Sequence, residues 1–292
     1  MSKRNIKSYC SLCNHETNHN VLCQYDETHR GDYSYDLEYQ IIECLGCNKK
    51  AFRQVFEDVE AAYQISETEW EVPKEIEIYP KFIKNHTNMD GEHYLPEIVG
   101  SIYKEVLIAL QEDANILASL GLRGTVEAVC NNLGITGKNL EIRISKLATA
   151  GYISKKDSDR LHGIRFMGND SAHEIKKPKS TQLSVALKIV EHLLLSVYIL
   201  EKQVDGKIDT TINDFNKFEE LLKKRIKLLV SNNELPLIGI FDTDYRRIKE
   251  SIFNLEKELI DKINSGEITY LSLGKNDKYN NYQNNLQYYI IK

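Results

Sequence analysis

The chain has 292 residues, 41% hydrophobic and 28% charged, which are the proportions of an ordinary globular protein. This length allows two or three compact units, and a content of only 5 prolines and 15 glycines excludes a long linker of disordered composition. A formal net charge of -5 excludes a strong overall attraction to nucleic acid, so any such contact would need a local basic patch.

The first residues do not have the pattern of a secretory signal, since Met1–Lys7 is polar and basic and no apolar segment follows. The most apolar stretch, Leu183–Leu200, is interrupted by Lys188, Glu191 and His192. A membrane span needs about 20 mostly apolar residues. We therefore expect a buried helix here, no association with a membrane, and a cytoplasmic protein.

Residues 1–80 have the hydrophobic pattern of a β-rich domain. Aromatic or aliphatic residues alternate with polar ones in Tyr33–Ile42, which predicts a half-buried strand. Lys50–Val59 and Glu75–Tyr79 are predicted as further short strands. Cysteine pairs joined by strands are the usual plan of a zinc ribbon.

Two Cys-x-x-Cys pairs in this region, Cys10 with Cys13 and Cys44 with Cys47, predict one metal site. Each turn of this kind presents two thiolates to one metal, and two turns complete the tetrahedral shell that zinc prefers. Four cysteine ligands leave no open position for water, so we predict a structural zinc. Buried thiols or redox-active pairs are the alternative interpretation.

The sequence also predicts the roles or exposure of a glycine and two histidines near these pairs, and of the two remaining cysteines. Gly46 suits a tight turn in the second pair. His15 and His19 are expected at the surface, because four cysteines already fill the metal shell. The two remaining cysteines, Cys23 and Cys130, are expected to be small buried side chains.

From Leu95 onward the hydrophobic period becomes helical. Pro96 can begin the first helix, and its apolar stripe is predicted as Ile98, Ile102, Val106 and Leu110. A second helix is predicted over Leu117–Leu133 and ends at Gly134. A third is predicted from the cap Asn139 to Gly151, with Leu140, Ile144 and Leu147 on one face. Two more are predicted over Lys155–Ala172 and Leu183–Leu200. Their short connections favour an antiparallel helical bundle over residues 95–203.

The last third of the chain mixes helix and strand patterns. Glu201–Asn213 is predicted as a polar linker and Phe215–Val230 as an amphipathic helix. A helix capped by Asp242 or Thr243 is predicted to run through Ile263, and strands are predicted over Ile268–Leu273 and Leu286–Ile291, around the loop Asn276–Asn285. The fold class is therefore α+β: a β zinc ribbon over 1–80, a helical bundle over 95–203, and a small α+β segment over 213–292, for which a winged-helix unit is one interpretation.

The most distinctive run of the helical part contains Arg165, Asn169 and His173 at positions i, i+4 and i+8. This spacing places all three on one helical face. A fixed cation, an amide and an imidazole together can bind a phosphate and transfer a proton. Alternatively, Asn169 and His173 cap and brace the turn into the next helix, and the residues alone leave both interpretations open.

Four motifs occur in an order that resembles a bacterial family, the domain-of-unknown-function family 4145. The motifs are Leu122–Cys130, Gly137–Leu147, Gly151–Ser154 and Ile164–His173. The resemblance covers about residues 8–203, because a zinc ribbon often precedes this domain. The family occurs alone or attached to restriction-enzyme subunits, and it is similar to the HEPN superfamily of helical bundles.

This resemblance implies a set of functional expectations. Many HEPN proteins are metal-independent ribonucleases of toxin and antiphage systems, in which two copies bring an arginine and a nearby histidine to a shared cleft. It therefore implies a homodimer that acts on RNA, with Arg165 stabilising the phosphate, His173 as acid and base, and Asn169 positioning the substrate. Seven residues separate Arg165 from His173, a wider spacing than is usual for that motif.

Two functions follow as hypotheses. The first is a metal-independent endoribonuclease of a bacterial defence or toxin system. The second is a non-catalytic adaptor associated with restriction or antiphage defence, which binds RNA, DNA or a defence-system partner protein through the zinc ribbon. A basic groove around His173 would favour the first: the lysines Lys155, Lys156, Lys176, Lys177 and Lys179 support it, and Asp157, Asp159, Asp170 and Glu174 oppose it.

Arg123 and Glu127 are also one helical turn apart, at i and i+4. A salt bridge within the second helix is the favoured interpretation. A pair that lines the same cleft as Arg165 is the alternative.

Overall fold

The computed structural model describes residues 4–204, 207–280 and 282–292. It contains two compact units, Met1–Gln203 and Val204–Lys292. The α+β fold class is confirmed, because an antiparallel sheet, a helical region and a mixed strand and helix segment follow one another along the chain. The division into 1–80, 95–203 and 213–292 stays a prediction.

The first unit begins with an antiparallel sheet. Its strands are β1 (Asn5–Cys10), β2 (His15–His29), β3 (Tyr35–Cys44), β4 (Lys50–Asp58) and, after a small hairpin of β5 (Tyr63–Gln64) and β6 (Trp70–Glu71), β7 (Lys74–Tyr79). The strand order is β1-β2-β3-β4-β7. The strands predicted at β3, β4 and β7 are confirmed, whereas β1 and β2 were missed. In β2 the alternation is obscured by a register shift between Val21 and Cys23 and by partial exposure of both faces.

One face of this sheet carries a row of four aromatic rings, which we term the aromatic row: Tyr25, Tyr39, Phe52 and Tyr79. Neighbouring ring centroids lie 6.4, 6.1 and 6.0 Å apart from β2 to β7. Tyr25 is 63% exposed and the other three are half-buried. The opposite face buries Gln40, Ile42, Arg53 and Val55. The sheet therefore presents apolar rings to solvent and buries polar groups.

The helical region follows a short 3-10 helix, Glu92–Tyr94. Its helices are α1 (Glu97–Gln111), α2 (Asn115–Asn132), α3 (Leu140–Thr149), α4 (Lys155–His173) and α5 (Ser180–Leu194), and α5 continues through a π-helical turn, Leu195–Ile199, into α6 (Leu200–Val204). The predicted cap is confirmed, since Asn139 Oδ1 accepts from the Ile142 amide at 3.0 Å. The predicted stops Gly134 and Gly151 have φ of 67° and 82°.

The core of this region lies between α1, α2 and α5. On α1 the predicted stripe is confirmed at Val106, which is buried, and at Ile102 and Leu110, which pack partly buried against the core, whereas Ile98 is 61% exposed. Val99, Tyr103 and Leu107 complete the buried face. The Tyr103 ring is buried, and its hydroxyl donates to Glu191 Oε1 on α5 at 2.7 Å. The predicted face of α3, with Leu140, Ile144 and Leu147, is confirmed as buried.

The helix from Ser180 to Val204 is long and apolar enough, by length and composition, to cross a membrane. Its most apolar window is 39% buried inside the protein. Leu183, Leu187 and Leu194 lie in the helical core with at most 2% exposure. The prediction of a buried helix is confirmed for the face that carries these residues.

The second unit contains helices around a small sheet. Its elements are α7 (Phe215–Ile226), β8 (Glu234–Pro236), α8 (Leu237–Phe241), a 3-10 turn Asp242–Asp244, α9 (Tyr245–Ile248), α10 (Ile252–Asn264), β9 (Leu271–Asp277) and β10 (Leu286–Ile291). The strand order is β8-β10-β9. Phe218, Phe241 and Tyr289 form the centre of its core, so the predicted amphipathic helix and the final hairpin are confirmed.

One helix prediction in this unit is wrong. The continuous helix from Asp242 through Ile263 is broken between α9 and α10, and Asp242 has a φ of 49° instead of a capping conformation. The Arg247 carbonyl accepts from the Ile212 amide at 2.7 Å, although a continuous helix would use it within the helix. Strand β8 was also missed. Residues 205–206 of the predicted linker and 281 of the predicted loop lie outside the described residues.

Candidate functional site

The four predicted cysteine ligands lie together at one end of the N-terminal sheet. Cys10 and Cys13 belong to the β1–β2 turn, and Cys44 and Cys47 to the β3–β4 turn. Their sulfur atoms all lie within 4.8 Å of one another. Cys10 Sγ is 3.5 Å from Cys47 Sγ, and Cys13 Sγ is 3.8 Å from Cys44 Sγ. This cysteine cluster can hold a metal ion in a four-coordinate site.

Each cysteine turn is closed by the asparagine that follows it. The Asn14 amide donates to the Cys10 carbonyl at 2.7 Å, and the Asn48 amide donates to the Cys44 carbonyl at 2.9 Å. Their φ angles are 60° and 61°, in the left-handed region that asparagine tolerates better than most residues. The sequence signal for the turn is therefore Cys-x-x-Cys-Asn, and the special backbone position in the second turn is Asn48 rather than Gly46.

Hydrogen-bond donors surround the sulfur atoms. The Cys13 amide donates to Cys10 Sγ and the Gly46 amide to Cys44 Sγ, each at 3.4 Å. The Thr17 hydroxyl lies 3.2 Å from Cys44 Sγ, a contact that the sequence did not indicate. Such donors stabilise the thiolate form that binds a metal.

Two neighbouring predictions are wrong. His19 was expected at the surface but is 2% exposed, because it lies opposite Cys44 in the β2–β3 register and its Nδ1 is 3.0 Å from the Thr17 carbonyl. Cys23 was expected to be buried but is exposed, just beyond the register shift in β2. His15 is exposed and Cys130 is buried, as predicted, and burial raises the pKa of the Cys130 thiol to about 11.

The second candidate site is one face of α4. Arg165, Asn169 and His173 all lie on this helix, which is one continuous element. Arg165 and Asn169 are half-buried, whereas His173 is exposed at the last position. A rise of 1.5 Å per residue separates Arg165 from His173 by about 12 Å along the axis. Within the described residues, no hydrogen bond joins any two of the three.

The surroundings of Arg165 leave its guanidinium only partly satisfied. Its side chain is 16% exposed, and Nη2 lies 3.6 Å from Glu141 Oε2 on α3. The guanidinium carbon lies 4.4 Å from the ring centre of Phe166, which is 54% exposed. Its Nε is buried and has no acceptor in the described part of the chain. Arg165 therefore retains donors for a further acceptor.

A second imidazole, His162, lies on the same helical face one turn before Arg165, and the sequence reasoning missed it. Its Nδ1 is buried and has no hydrogen-bond partner among the described residues. Burial lowers the pKa of His162, and the charge of Arg165 lowers it further, so the neutral imidazole is favoured. His162 could have been predicted from the sequence, because a residue three positions before Arg165 lies on the same helical face.

The turn after α4 is held by another residue of the same helix. Ser171 Oγ donates to the Lys176 carbonyl at 3.1 Å. Among the described residues, neither Asn169 nor His173 makes a side-chain hydrogen bond to this turn. This geometry gives no support to the interpretation that Asn169 and His173 brace it.

Arg123 packs where α2 crosses α4. Its Nη2 lies 2.8 Å from Glu127 Oε1, so the predicted salt bridge is confirmed. A Cβ added to Gly168 would lie 2.7 Å from Arg123 Cδ and 2.8 Å from its Cβ. Gly168 therefore permits the close approach of these two helices, and Arg123 helps to hold α4 in place.

The lysines expected to form a basic groove are partly neutralised. Lys155 Nζ lies 3.0 Å from Asp159 Oδ1, and Lys176 Nζ lies 3.6 Å from Asp170 Oδ2. Both pairs are well exposed and contribute little stability. These two pairs reduce the positive charge that Lys155 and Lys176 contribute near the α4 face.

A search of family models supports the resemblance that the motifs indicated. The model described as domain of unknown function (DUF4145) matches residues 104–224. The match begins within α1 and ends within α7, so the N-terminal sheet lies outside it and the match extends beyond residue 203. No curated protein and no solved structure matches the chain significantly. Residues 104–224 of this chain are therefore similar to the DUF4145 family.

Proposed function

We propose that the protein is a HEPN-like, metal-independent endoribonuclease of a bacterial defence or toxin system, and that α4 carries its active face. The observation that supports this most is Arg165, a half-buried guanidinium with an unpartnered Nε on the same face as Asn169 and His173. A phosphate diester offers the oxygen acceptors that such a planar fork binds best. The exposed Phe166 ring beside it offers a surface on which a base can stack.

The proposed reaction uses the RNA itself as nucleophile. An imidazole accepts the proton of the 2′-hydroxyl, and the 2′-oxygen attacks the adjacent phosphorus. The bond from phosphorus to the 5′-oxygen breaks, and a second imidazole donates a proton to that oxygen. The products are a 2′,3′-cyclic phosphate and a 5′-hydroxyl. Arg165 stabilises the negative charge that grows on the phosphate oxygens.

The active unit is proposed to be a homodimer. Arg165 and His173 of one chain are about 12 Å apart along α4, so one chain does not easily place both against one phosphate. Two copies that meet through the α4 face would supply two arginines and two imidazoles to one cleft, since a two-fold interface uses the same patch twice. Light scattering at tens of micromolar tests this, and a monomer at that concentration would contradict the shared site.

The test of the chemistry is cleavage of total RNA and tRNA in EDTA by purified wild type and by His173→Ala. Cleavage should leave 2′,3′-cyclic phosphate ends, and His173→Ala should be slower by about 10²–10⁴-fold. The matched control is His93→Ala, which removes an exposed histidine far from α4 in the sequence and should keep the wild-type rate. Equal degradation by wild type and His173→Ala would mean that the nuclease is a contaminant and that the proposal is wrong.

The metal of the cysteine cluster is proposed to be a structural zinc, within a zinc ribbon of a cytoplasmic protein. Tetrahedral zinc with bonds of about 2.3 Å to sulfur separates its ligands by about 3.8 Å. The separations of 3.5 and 3.8 Å between opposite pairs fit this geometry. Four thiolates leave no place for water, so the metal would supply folding energy to the sheet and take no part in the reaction.

A second candidate function, a protein-binding adaptor, is favoured by the N-terminal sheet. The aromatic row is a solvent-facing set of rings of the kind that is enriched at protein interfaces. Residues 21–81 carry fourteen acidic and six basic side chains, a net charge of -8, while the whole chain carries -5. This charge opposes binding to nucleic acid and supports a basic partner protein.

This adaptor function can be tested with a fluorescent peptide that alternates leucine and arginine. Wild type should bind it in low salt, and the double change Tyr25→Ala and Tyr39→Ala should weaken binding by at least ten-fold. Tyr63→Ala, an exposed tyrosine of the separate β5–β6 hairpin, is the control. Equal binding by the double variant and the wild type would exclude the aromatic row as the contact.

A further inference from the structure

A cavity of about 400 Å³ lies between the N-terminal part of α4 and the face of α5, away from the end of α4 that carries His173. Its floor is formed by Leu161 and Leu193, which are 1% and 2% exposed. Val185, Ile189 and Tyr152 form more exposed walls. This size and largely apolar lining are those of a small-molecule pocket.

The polar groups of the cavity are gathered at one side. Asp157 accepts from the Ser154 hydroxyl and from Arg160 Nη1, each at 2.6 Å, and Asp157 Oδ1 lies 3.8 Å from His192 Nε2. The Ser154 hydrogen bond, together with Arg160 and His192, lowers the pKa of Asp157. The one carboxylate of the lining is therefore already occupied by donors from the protein.

The cations of the lining are not fully occupied. Lys188 makes no ion pair or hydrogen bond in the part of the chain that the structure describes, and it lies on α5 one turn before His192. Arg160 uses one terminal nitrogen for Asp157 and is 56% exposed. After Asp157 has neutralised one positive charge, the cavity retains an excess of cationic donors beside apolar walls.

We propose that this cavity binds a small organic anion with an apolar body, such as an aromatic or aliphatic carboxylate, sulfonate or phosphate. The body lies against Leu161, Ile189 and Leu193, and the anionic group lies against Lys188 and Arg160. The network of Ser154, Asp157 and Arg160 holds the arginine in place before the ligand arrives, which reduces the ordering cost of binding. This proposal does not depend on the ribonuclease activity.

The test uses 1-anilinonaphthalene-8-sulfonate, an aromatic sulfonate, and N-phenyl-1-naphthylamine, the same aromatic body without the sulfonate. Fluorescence titration of the full-length, metal-loaded protein should show one sulfonate site per chain. Lys188→Glu should raise the dissociation constant of the sulfonate probe at least ten-fold and change that of the neutral probe less than three-fold. Val185→Trp should fill the cavity and raise the dissociation constants of both probes at least ten-fold. Lys138→Glu, an exposed lysine of the α2–α3 loop, should change neither.

Three results would overturn the proposal. If Val185→Trp binds both probes as the wild type does, the probes bind elsewhere. If Lys188→Glu weakens both probes equally, the cavity does not select an anion. If wild type is a dimer that binds no probe, and Val185→Trp is a monomer, the cavity is filled by a second copy of this chain. Circular dichroism of each variant confirms that it is folded.

Discussion

The N-terminal sheet buries Cys10, Ile42, Cys44 and Val55 as its apolar or cysteine residues, while the helices α1–α5 bury a cluster of 21 such residues. The described strands of the sheet bury five polar side chains: Ser8, His19, Asn20, Gln40 and Arg53. Gln40 and Arg53 lie at its centre, where Arg53 Nη1 donates to Gln40 Oε1 at 2.6 Å. Burial of so few apolar groups gives little stabilisation per residue. The sheet therefore depends on its cysteine cluster, and the helices depend on their core.

The two regions also differ in where chemistry can occur. The cysteine cluster brings four sulfur atoms to one possible metal site, for which we propose a role in folding, while the α4 face has unpartnered groups on a helix. The proposed metal-free reaction on α4 and the proposed metal dependence of the sheet can therefore be tested separately.

The largest effect is expected from the change Cys44→Ser. It should abolish the binding of one zinc per chain and remove on the order of 10 kcal/mol of metal-linked folding energy from the sheet. Elemental analysis measures the metal, and hydrogen exchange should show loss of protection in β1–β4 with little change in α1–α5. Cys23→Ser, at an exposed cysteine outside the cluster, is the control. A folded, reduced wild type without any metal would contradict this assignment.

In the helical core, Leu122→Ala should cost about 2–5 kcal/mol in the free energy of unfolding, because it leaves a cavity among buried side chains. Leu122 is fully buried on α2. The comparison residue is Ile76 on β7, which is 51% exposed, so Ile76→Ala should cost less than about 0.5 kcal/mol. Urea denaturation of the metal-loaded protein measures both. Similar costs would mean that the sheet has a core comparable with that of the helices.

A matched pair of glycine substitutions on α4 tests its approach to α2. Gly168→Ala should destabilise the protein by about 1–3 kcal/mol, because the new Cβ would press against Arg123. Gly163→Ala should stabilise it by about 0.5–1 kcal/mol, since no atom lies within 4 Å of its added Cβ and alanine favours the helix. Thermal denaturation compares the two. Equal effects would show that the crossing tolerates a side chain.

The smallest effect concerns the start of α4. Ser154→Ala should cost about 1 kcal/mol, because the Ser154 hydroxyl caps the helix by accepting from the Asp157 amide. The pKa of Asp157 is lower in the folded protein than in the unfolded chain, so Asp157 adds stability above about pH 4 that is lost as the pH falls below it. In Ser154→Ala the free energy of unfolding should decrease less as the pH falls below about 4, because the hydrogen bond from Ser154 to Asp157 is absent. Urea denaturation at a series of pH values measures this, and the same pH dependence in both proteins would contradict the role of this hydrogen bond.

The sequence was informative where local rules are strong. The cysteine pairs, the cap Asn139 and the stops Gly134 and Gly151 depend on spacing and backbone conformation, and each was placed correctly. The burial of Tyr103 on α1 was not predicted, and its hydroxyl contacts Glu191, a residue 88 positions away in the chain. Likewise, the burial of His19 follows from its position opposite Cys44, and Cys23 is exposed just beyond a register shift between β2 and β3. Tertiary contacts of this kind leave no periodic signal.

The candidate sites also combine features that the sequence predicts with contacts that form only in the folded structure. The four ligands of the cysteine cluster could be predicted from their spacing, whereas Thr17 beside Cys44 could not, because it comes close only when β2 pairs with β3. On α4 the stripe of Arg165, Asn169 and His173 was visible in the sequence. The pairing of Arg165 with Glu141 and the buried nitrogen of His162 were not, because both depend on how α3 packs against α4.

We propose that α4 cleaves RNA while the metal stabilises only the sheet. The most direct test of this proposal is the single-turnover cleavage rate of an end-labelled RNA, measured for wild type and His173→Ala in the presence of excess EDTA. The wild-type rate should persist in EDTA, and the His173→Ala rate should be lower by about 10²–10⁴-fold. A wild-type rate that disappears with EDTA and returns with added metal, or a His173→Ala rate equal to that of the wild type, would contradict the proposal.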